Sequence, residues 1–503
     1  MSTPVYRPGT VVKPTERLSR EQVGLIHDAS MRILQDPGIV CYNEEAVSIY
    51  RDAGCDITDG PQQKSWIVKI PPDVVRRALQ SAPSRVVLGA RNPANALELD
   101  AENPRVYFGT GSETNIVLEV DPDGGQGGPA YHEQRGTVNR LCDSARLCDA
   151  LDNVDFFIRN VNVQDDGITL ENKDVNVFFA ALLYCTKHVQ AGVSNLDALD
   201  DVLRVAATVA GGEEQLRANP LVSFITCLVK SPLQMVDDTT QKTIEIARRG
   251  WPLVISSSPQ GGSTAPVQEE GMVALINAEI LAGITLTQLV NPGTPVLYGA
   301  VPVRVRLDTL HDYYGAPEFV HYNSDCVQMA RSYLVPCYST AGVGDSKRPG
   351  LQTGVEKLLS HLAMAQTGAQ YIHYAFGLLD RTNVFCPAQA VIDDANLTMV
   401  RETVRQARFD ADELNRAVDE VRSTMTSGTR LFARHIRRYR RRGLVSDPYA
   451  LAGDDPSESA VLRRACEKLS TIRATQGNRL EQATVNAVRE KVPGLLPTEA
   501  FEL

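Results

Sequence analysis

No pair among the chain's ten cysteines has C-x-x-C spacing, and no compact Cys/His cluster occurs. The thiols at Cys41, Cys55, Cys142, Cys148, Cys185, Cys227, Cys326, Cys337, Cys386 and Cys466 are scattered, which argues against a disulfide framework and against a structural zinc site. Cys185 and Cys227 sit inside apolar segments, where a free thiol acts as a small core residue. A reducing, cytoplasmic setting is the expectation. H-E-x-x-H, G-x-S-x-G and a Walker A loop are also missing, which speaks against zinc proteolysis, acyl hydrolysis on a nucleophile elbow and nucleotide hydrolysis. Basic charge is in deficit: 51 Lys and Arg face 61 Asp and Glu, for a net charge of -10. A nucleic acid or an anionic membrane is therefore not expected as principal partner, since both call for a basic surface. The segment Met1-Ser-Thr-Pro-Val-Tyr-Arg-Pro-Gly9 lacks the apolar core of a signal peptide, and the most apolar helical stretch carries Asn277, Glu279 and Gln288. No membrane span is expected.

What remains is a chain of 503 residues, 43% hydrophobic and 22% charged, which is enough to bury a large core. Residues 1–104 read as a mixed α/β cap, with amphipathic helices over Arg20 to Leu34, Asn43 to Ala53 and Pro72 to Ala82 and a strand over Ser65 to Ile70. From 105 to 396 the rhythm changes. Eight short β-branched segments recur, at Val106 to Thr110, Val154 to Val163, His188 to Val193, Leu221 to Thr226, Pro252 to Ser256, Pro295 to Ala300, Pro336 to Thr340 and Gln370 to Phe376. Helical stretches separate them: Tyr131 to Leu151, Asp197 to Ala210, Thr239 to Arg249, Met272 to Val290, Glu318 to Leu334 and Gly354 to Thr367. This alternation predicts an α/β fold, and the strand count favours a TIM (β/α)8 barrel. An open doubly wound sheet would usually carry G-x-G-x-x-G after its first strand; Gly109-Thr-Gly111-Ser-Glu-Thr114 lacks the third glycine. Residues 397–503 read as a C-terminal helical extension, with one long helix over Leu397 to Thr424 and a basic run, Arg437 to Arg442, taken as a solvated helix face or loop.

In such a barrel, chemistry sits in loops at the carboxyl ends of the strands. The most telling loop is Gln260-Gly-Gly-Ser-Thr-Ala-Pro-Val267, between a strand and a buried helix. Gly261 and Gly262 allow close backbone approach, Ser263 and Thr264 offer hydroxyls, and Pro266 opposes strand pairing. The other strand ends contribute Phe108, Tyr298, Arg304, Arg306, Tyr338, Asp345, Ser346, Lys347, His373, Tyr374 and Phe376. Aromatics in strands more often pack in a core than line a site, and a lone strand histidine such as His373 is as readily packing as catalyst. The predicted mouth is aromatic, weakly charged and poor in metal ligands.

Several segments together resemble the trimethylamine methyltransferase (MttB) family over most of the chain. They are Leu18 to Ser30, Pro71 to Val75, Arg105-Val-Tyr-Phe-Gly-Thr-Gly111, Ser231-Pro-Leu-Gln234, Gly261 to Val267, Asn277 to Gly283, Gly315-Ala-Pro-Glu318 and Gly344-Asp-Ser-Lys347. The resemblance implies a TIM barrel that moves a methyl group from a methylated amine to the cobalt of a separate corrinoid protein, with no tightly bound cofactor of its own. It also makes a homo-oligomer plausible. The sequence contains no pyrrolysine, the residue that marks the trimethylamine enzymes. That departure points to the branch whose members resemble demethylases of quaternary amines such as glycine betaine, proline betaine and carnitine. On this reading Phe108, Tyr298, Tyr338, Tyr374 and Phe376 are candidates for cation-π recognition, while Arg304 or Arg306 meets a substrate carboxylate with Ser263, Thr264 and His373 as donors. The residues Gln260 to Thr264 and Asp345 to Lys347 face the corrinoid, and no residue is assigned a catalytic or metal-binding role. The rival readings are a lyase using Lys347 and a non-catalytic betaine-binding protein.

Overall fold

The computed structural model describes residues 6–503 apart from 126–127, 408, 429–431, 433–435, 442–444 and 447–448. All eight expected strands form, and all pair in parallel. They are β1 (Arg105–Phe108), β2 (Phe156–Ile158), β3 (His188–Ala191), β4 (Val222–Thr226), β5 (Leu253–Ser257), β6 (Val296–Ala300), β7 (Cys337–Thr340) and β8 (Tyr371–His373). The sheet runs in the order β1-β8-β7-β6-β5-β4-β3-β2, with Thr10–Val11 added antiparallel on β1 as a ninth strand. The two ends of the series meet: Gly109 bridges Phe156 in parallel, and Asp155 N–H donates to Phe108 O across 2.7 Å. A Cβ at Gly109 would lie 2.1 Å from the Phe156 ring, so this contact requires glycine.

The helices are α1 (Arg20–Gln35), α2 (Glu44–Asp52), α3 (Pro72–Ser81), α4 (Val138–Ala150), α5 (Lys173–Tyr184), α6 (Leu199–Ala210), α7 (Glu213–Ala218), α8 (Asp237–Arg248), α9 (Glu269–Val290), α10 (Pro317–Ser332), α11 (Leu351–Gln366) and α12 (Pro387–Val404), with α1, α2 and α3 packed on α9. α9 is apolar all round because it is covered all round: Met272 to Gln288 are buried, and α1, α3, α8 and α10 pack on it. Its membrane-like composition is that of a core helix. α1 starts at a reciprocal capping box between Ser19 and Gln22.

Strand alternation divides the side chains. Phe108, Phe224, Ile255 and Tyr298 join the large helix-facing core, whereas Tyr107, Phe156, Ile158, Val254, Leu297, Tyr338 and Tyr371 form a separate cluster on the concave face. At the amino end of the strands this inner cluster is closed by Val86, Leu88, Leu97 and Leu99, from the hairpin Arg85–Leu88/Leu97–Asp100. At the carboxyl end, short ribbons are inserted after the strands: Ile116–Gly125 with Gly128–Arg135, Val229–Lys230 with Gln234–Met235, and Val303–Val305 with Asp312–Tyr313.

Three expectations need correction. The helix expected from Tyr131 begins only at Val138, because Gly128–Arg135 is a strand, and the chain turns at Gly136 before Thr137 caps α4. The long helix expected over Leu397 to Thr424 is two, α12 and α13 (Ala411–Thr426). The chain leaves the helix to pair with the N-terminal strand, Arg405 bridging Val12 and Gln406 N–H donating to Val11 O at 2.7 Å, and Asp410 recaps it. Finally, the polar glycine loop does pair despite Pro266: Gln260 and Gly261 align with Val303 and Arg304. The basic run lies on α14 (Ile436–Arg441), where Arg437, Arg438, Arg440 and Arg441 are exposed; Arg442 is outside the described residues. α15 (Glu458–Arg473) and α16 (Gln482–Lys491) complete the C-terminal region. The division drawn at residue 396 falls inside α12.

Candidate active site

The concave face is unusually polar for a sheet interior, carrying His188, Gln190, Ser223, Ser256, Thr340, Tyr371 and His373, all buried. Most are mutually satisfied. His188 Nδ1 contacts Gly89 O at 2.8 Å and Nε2 contacts Ser223 Oγ at 2.7 Å, while Gln190 Nε2 donates to the same hydroxyl at 3.0 Å. Burial lowers the His188 pKa to about 4, so the ring is neutral. Yet Gln190 Oε1 and Tyr371 OH, from two different strands, have no partner among the described residues. A buried polar group without a partner costs about 1–3 kcal/mol. Two on one concave surface mark space that a polar ligand or water completes.

Toward the carboxyl ends the lining becomes aromatic. Tyr338 OH and His373 Nδ1 lie 2.6 Å apart, and Thr340 Oγ1 lies 2.6 Å from His373 Nε2. Both contacts are available to neutral imidazole, one nitrogen donating and the other accepting, and burial drives the His373 pKa well below its ordinary value. Tyr374 follows in a left-handed conformation, φ 66°, which turns its ring onto His373 with centroids 3.8 Å apart. Gly111 makes this possible, since a Cβ there would meet the Tyr374 ring at 2.4 Å. Burial raises the Tyr374 hydroxyl's pKa, with the neighbouring Cys227 thiol and Asp312 carboxylate adding to the effect. Cys227 follows β4, and its thiol is exposed. The exposed Cys227 thiol is a neighbour of the buried Tyr338 and the half-buried Tyr374.

Charge arrives from the inserted ribbons. Gln260 Nε2 donates to Asp312 Oδ1 at 2.6 Å, and burial raises the Asp312 pKa. Arg381 faces Asp312 and Asp345 electrostatically while its guanidinium donates to Asp380 at 2.8 Å. The Asp345 carboxylate accepts the backbone N–H groups of Tyr314 at 3.0 Å and Gly315 at 2.7 Å, so it holds the loop before α10. Asp312 and Arg381 were not singled out from the sequence, and Cys227, read there as a small core residue of an apolar segment, is instead exposed. Asp312 lies on a two-residue strand and Arg381 in a short polar turn, neither with periodicity in the sequence, and only the fold brings Asp312 to Tyr374 and Arg381 to Asp312.

The expected site residues are thus spread over several environments. Tyr338, His373 and Tyr374 come together at the strand ends. Tyr298 lies on the helix-facing side and donates from its hydroxyl to Asn277 Oδ1 at 2.9 Å. Phe108 packs among the helices beside His361 and beneath the Arg401 guanidinium, and Phe376 is buried in the same core. Arg304 lies beside Glu318, 3.6 Å away, and over the Tyr313 ring; Arg306 is exposed and paired to Asp308. Gly261 backs onto Tyr322, and Gly262 has a left-handed φ of 92°. Ser263, Thr264 and Lys347 are on or near the surface, with Thr264 Oγ1 accepting Gln260 N–H at 2.9 Å; Ser346 Oγ donates to Arg348 O at 3.0 Å. Among the described residues, no group of three or more His, Cys, Asp or Glu side chains is arranged to hold a metal ion.

The family profile described as trimethylamine methyltransferase (MTTB) matches residues 4–442. The chain belongs to that family. It is 32% identical to the trimethylamine methyltransferase MttB of Desulfitobacterium hafniense (strain DSM 10664 / DCB-2), over 82% of this chain and 79% of that one. It is 30% identical to MttB of Methanosarcina thermophila, over 77% of each chain. A glycine betaine methyltransferase of Desulfitobacterium hafniense (strain Y51) is 27% identical over 84% of each chain. Among solved structures, a dihydropteroate synthase of Coxiella burnetii in complex with pteroic acid aligns with a TM-score of 0.36 and 11% identity, over 63% of this chain and 99% of that one. That likeness is too loose to carry an argument. This member of the trimethylamine methyltransferase family is a methyltransferase, and its aromatic strand ends belong to an enzyme.

Proposed function

We propose that this methyltransferase takes its methyl group from a quaternary amine of the glycine betaine kind and passes it to the Co(I) of a corrinoid carried by a cognate partner protein. The observation that carries the reading is the joining of Tyr338, His373 and Tyr374 at the strand ends, beside the half-buried carboxylate of Asp312. Aromatic faces attract a quaternary ammonium by about 0.5–2 kcal/mol per contact. Asp312 supplies the formal counter-charge, and Arg381 beside it offers a cation for a substrate carboxylate, so the pair complements a zwitterion. Glycine betaine appears in the name of a relative, which supports the same donor class.

The chemistry fits neutral surroundings. A quaternary nitrogen has no lone pair; when its methyl carbon bonds to cobalt, the C–N electron pair stays on nitrogen and a neutral tertiary amine leaves. No proton is transferred, so a His373 held neutral by burial acts as a positioning group. It fixes the Tyr338 ring through a 2.6 Å hydrogen bond. Alignment of methyl and cobalt then lowers a barrier that is otherwise bimolecular. The same reading takes the sheet as a (β/α)8 barrel closed at Gly109 and Phe156, with the partner docking at its carboxyl mouth.

A methyl-transfer assay tests it. The protein, a Co(I)-corrinoid protein and a panel of quaternary and tertiary amines are mixed, and Co(I) absorbance is followed. Loss of Co(I) with quaternary donors and none with trimethylamine is expected. Co(I) that persists with every quaternary amine sinks the reading.

A further inference from the structure

Val189 packs in the helix-facing core, so its neighbours on β3, His188 and Gln190, point to the concave face. There the hydrogen bonds fix their own directions. Gly89 O can only accept, so the proton of the neutral His188 ring sits on Nδ1, 2.8 Å away, and Nε2 must accept. The Ser223 hydroxyl therefore gives its one hydrogen to Nε2 across 2.7 Å. Toward Gln190, at 3.0 Å, Ser223 Oγ is left as an acceptor only, which holds the amide with Nε2 toward Ser223 and Oε1 on the opposite branch. That oxygen is buried and has no partner among the described residues. Gln190 also adjoins the aromatic strand ends. Its register partner on β2, Ile158, belongs to the inner cluster of Tyr338 and Tyr371, against which Tyr374 packs. Tyr371, stacked on Phe156 with centroids 3.5 Å apart and lying 5.8 Å from the Tyr338 ring, brings the second unpartnered oxygen to that cluster.

We propose that Gln190 is a specificity-determining residue for the methyl donor, its Oε1 meeting the N-methyl groups of a quaternary ammonium; the inference rests on the donor class proposed above. The charge of such a cation is spread over its methyl hydrogens, which a carbonyl oxygen attracts through C–H···O contacts. The same oxygen repels a carboxylate, so the acidic end of a betaine turns away from Gln190 and toward Arg381. An amide does this without placing another formal charge in a buried interior, where an unpaired carboxylate is costly. Ser223 and His188 are positioning residues, since they act on the donor only through the direction they impose on the Gln190 amide.

Calorimetric binding to the full chain, with no corrinoid present, tests it. The probes are glycine betaine and tert-butylacetate, its carbon isostere, which has the same shape and lacks the ammonium charge. Gln190→Met keeps the length of the side chain and removes the oxygen; it is expected to weaken betaine about tenfold and the isostere hardly at all. Ser223→Ala, which frees the amide to turn, is expected to weaken betaine by a smaller factor. Gln190→Glu retains an oxygen on that branch and is expected to bind betaine at least as tightly as the wild type. A merely structural role would weaken both probes alike and would not be rescued by Gln190→Glu; either result overturns the inference, as does unchanged betaine affinity in Gln190→Met. A wild type that binds no betaine overturns the inference and the donor class together. Betaine binding that depends on Gln190 without any methyl transfer overturns the proposed reaction alone.

Discussion

Gln260 Nε2 donates to Asp312 Oδ1 across 2.6 Å, tying the polar glycine loop to the ribbon that follows β6. The loop's first side chain thus positions the carboxylate that faces Tyr374. Asp312→Asn is expected to raise KM for a quaternary amine about tenfold to a hundredfold, about 1.4 kcal/mol per decade, with kcat less affected. Because burial already disfavours the charged carboxylate, the melting point should hold or rise. Equal losses of kcat and kcat/KM with unchanged KM would place Asp312 outside ground-state recognition.

The same carboxylate sets a pH dependence. Its pKa is raised by burial, so protonation removes the counter-charge at a higher pH than an ordinary aspartate would. Affinity for a cationic donor is therefore expected to be full above that raised value and to fall as pH drops through it. Asp312→Asn should flatten the profile. Isothermal titration across pH measures both.

His373 joins Tyr338 and Thr340 through two 2.6 Å contacts. His373→Phe removes both partners and leaves a buried tyrosine hydroxyl unsatisfied, at a cost of about 1–3 kcal/mol. Thermal denaturation reads that loss. Methyl transfer should fall further than stability explains, since the Tyr338 ring is no longer fixed; a variant that keeps full kcat would remove His373 from positioning.

The eight strands were legible because β-branched runs alternate with helical ones, and every run became a strand. Which face each aromatic takes was not. Strands buried on both sides show no polar alternation, so Tyr298, which bonds Asn277 on α9, reads like Tyr338, which bonds His373. The resemblance found the family but not Asp312, whose place depends on a two-residue strand, Asp312–Tyr313, paired with Arg304 and Val305. The break between α12 and α13 was equally hidden, because it answers to a distant partner, Val11.

Cys227 is the one exposed thiol among the ten, while eight are buried and Cys466 is partly so. Iodoacetamide should therefore label Cys227 first, and faster as pH rises and more thiolate forms. A bound quaternary amine should protect it, given its place beside Tyr374. Peptide mass spectrometry follows the adduct, and labelling that ignores the donor would separate Cys227 from the binding space.

Lys357 and Asp393 form a fully buried ion pair at 2.9 Å, linking α11 to α12. Lys357 Nζ also donates to Gly342 O at 2.5 Å and Leu378 O at 3.2 Å, and Asp393 accepts from Gly377 N–H at 2.7 Å and from Gln389 at 2.9 Å. The lysine thus pins the loops after β7 and β8, the two strands that carry Tyr338 and His373. Lys357→Met strands a carboxylate in the core and is expected to cost about 3–5 kcal/mol. Combining it with Asp393→Leu should recover most of that loss in denaturant unfolding, because no buried charge remains. The freed carbonyls of Gly342 and Leu378 would still loosen the strand ends, so the double variant is expected to regain stability before it regains methyl transfer. Full recovery of both together would show that the pair serves the fold alone.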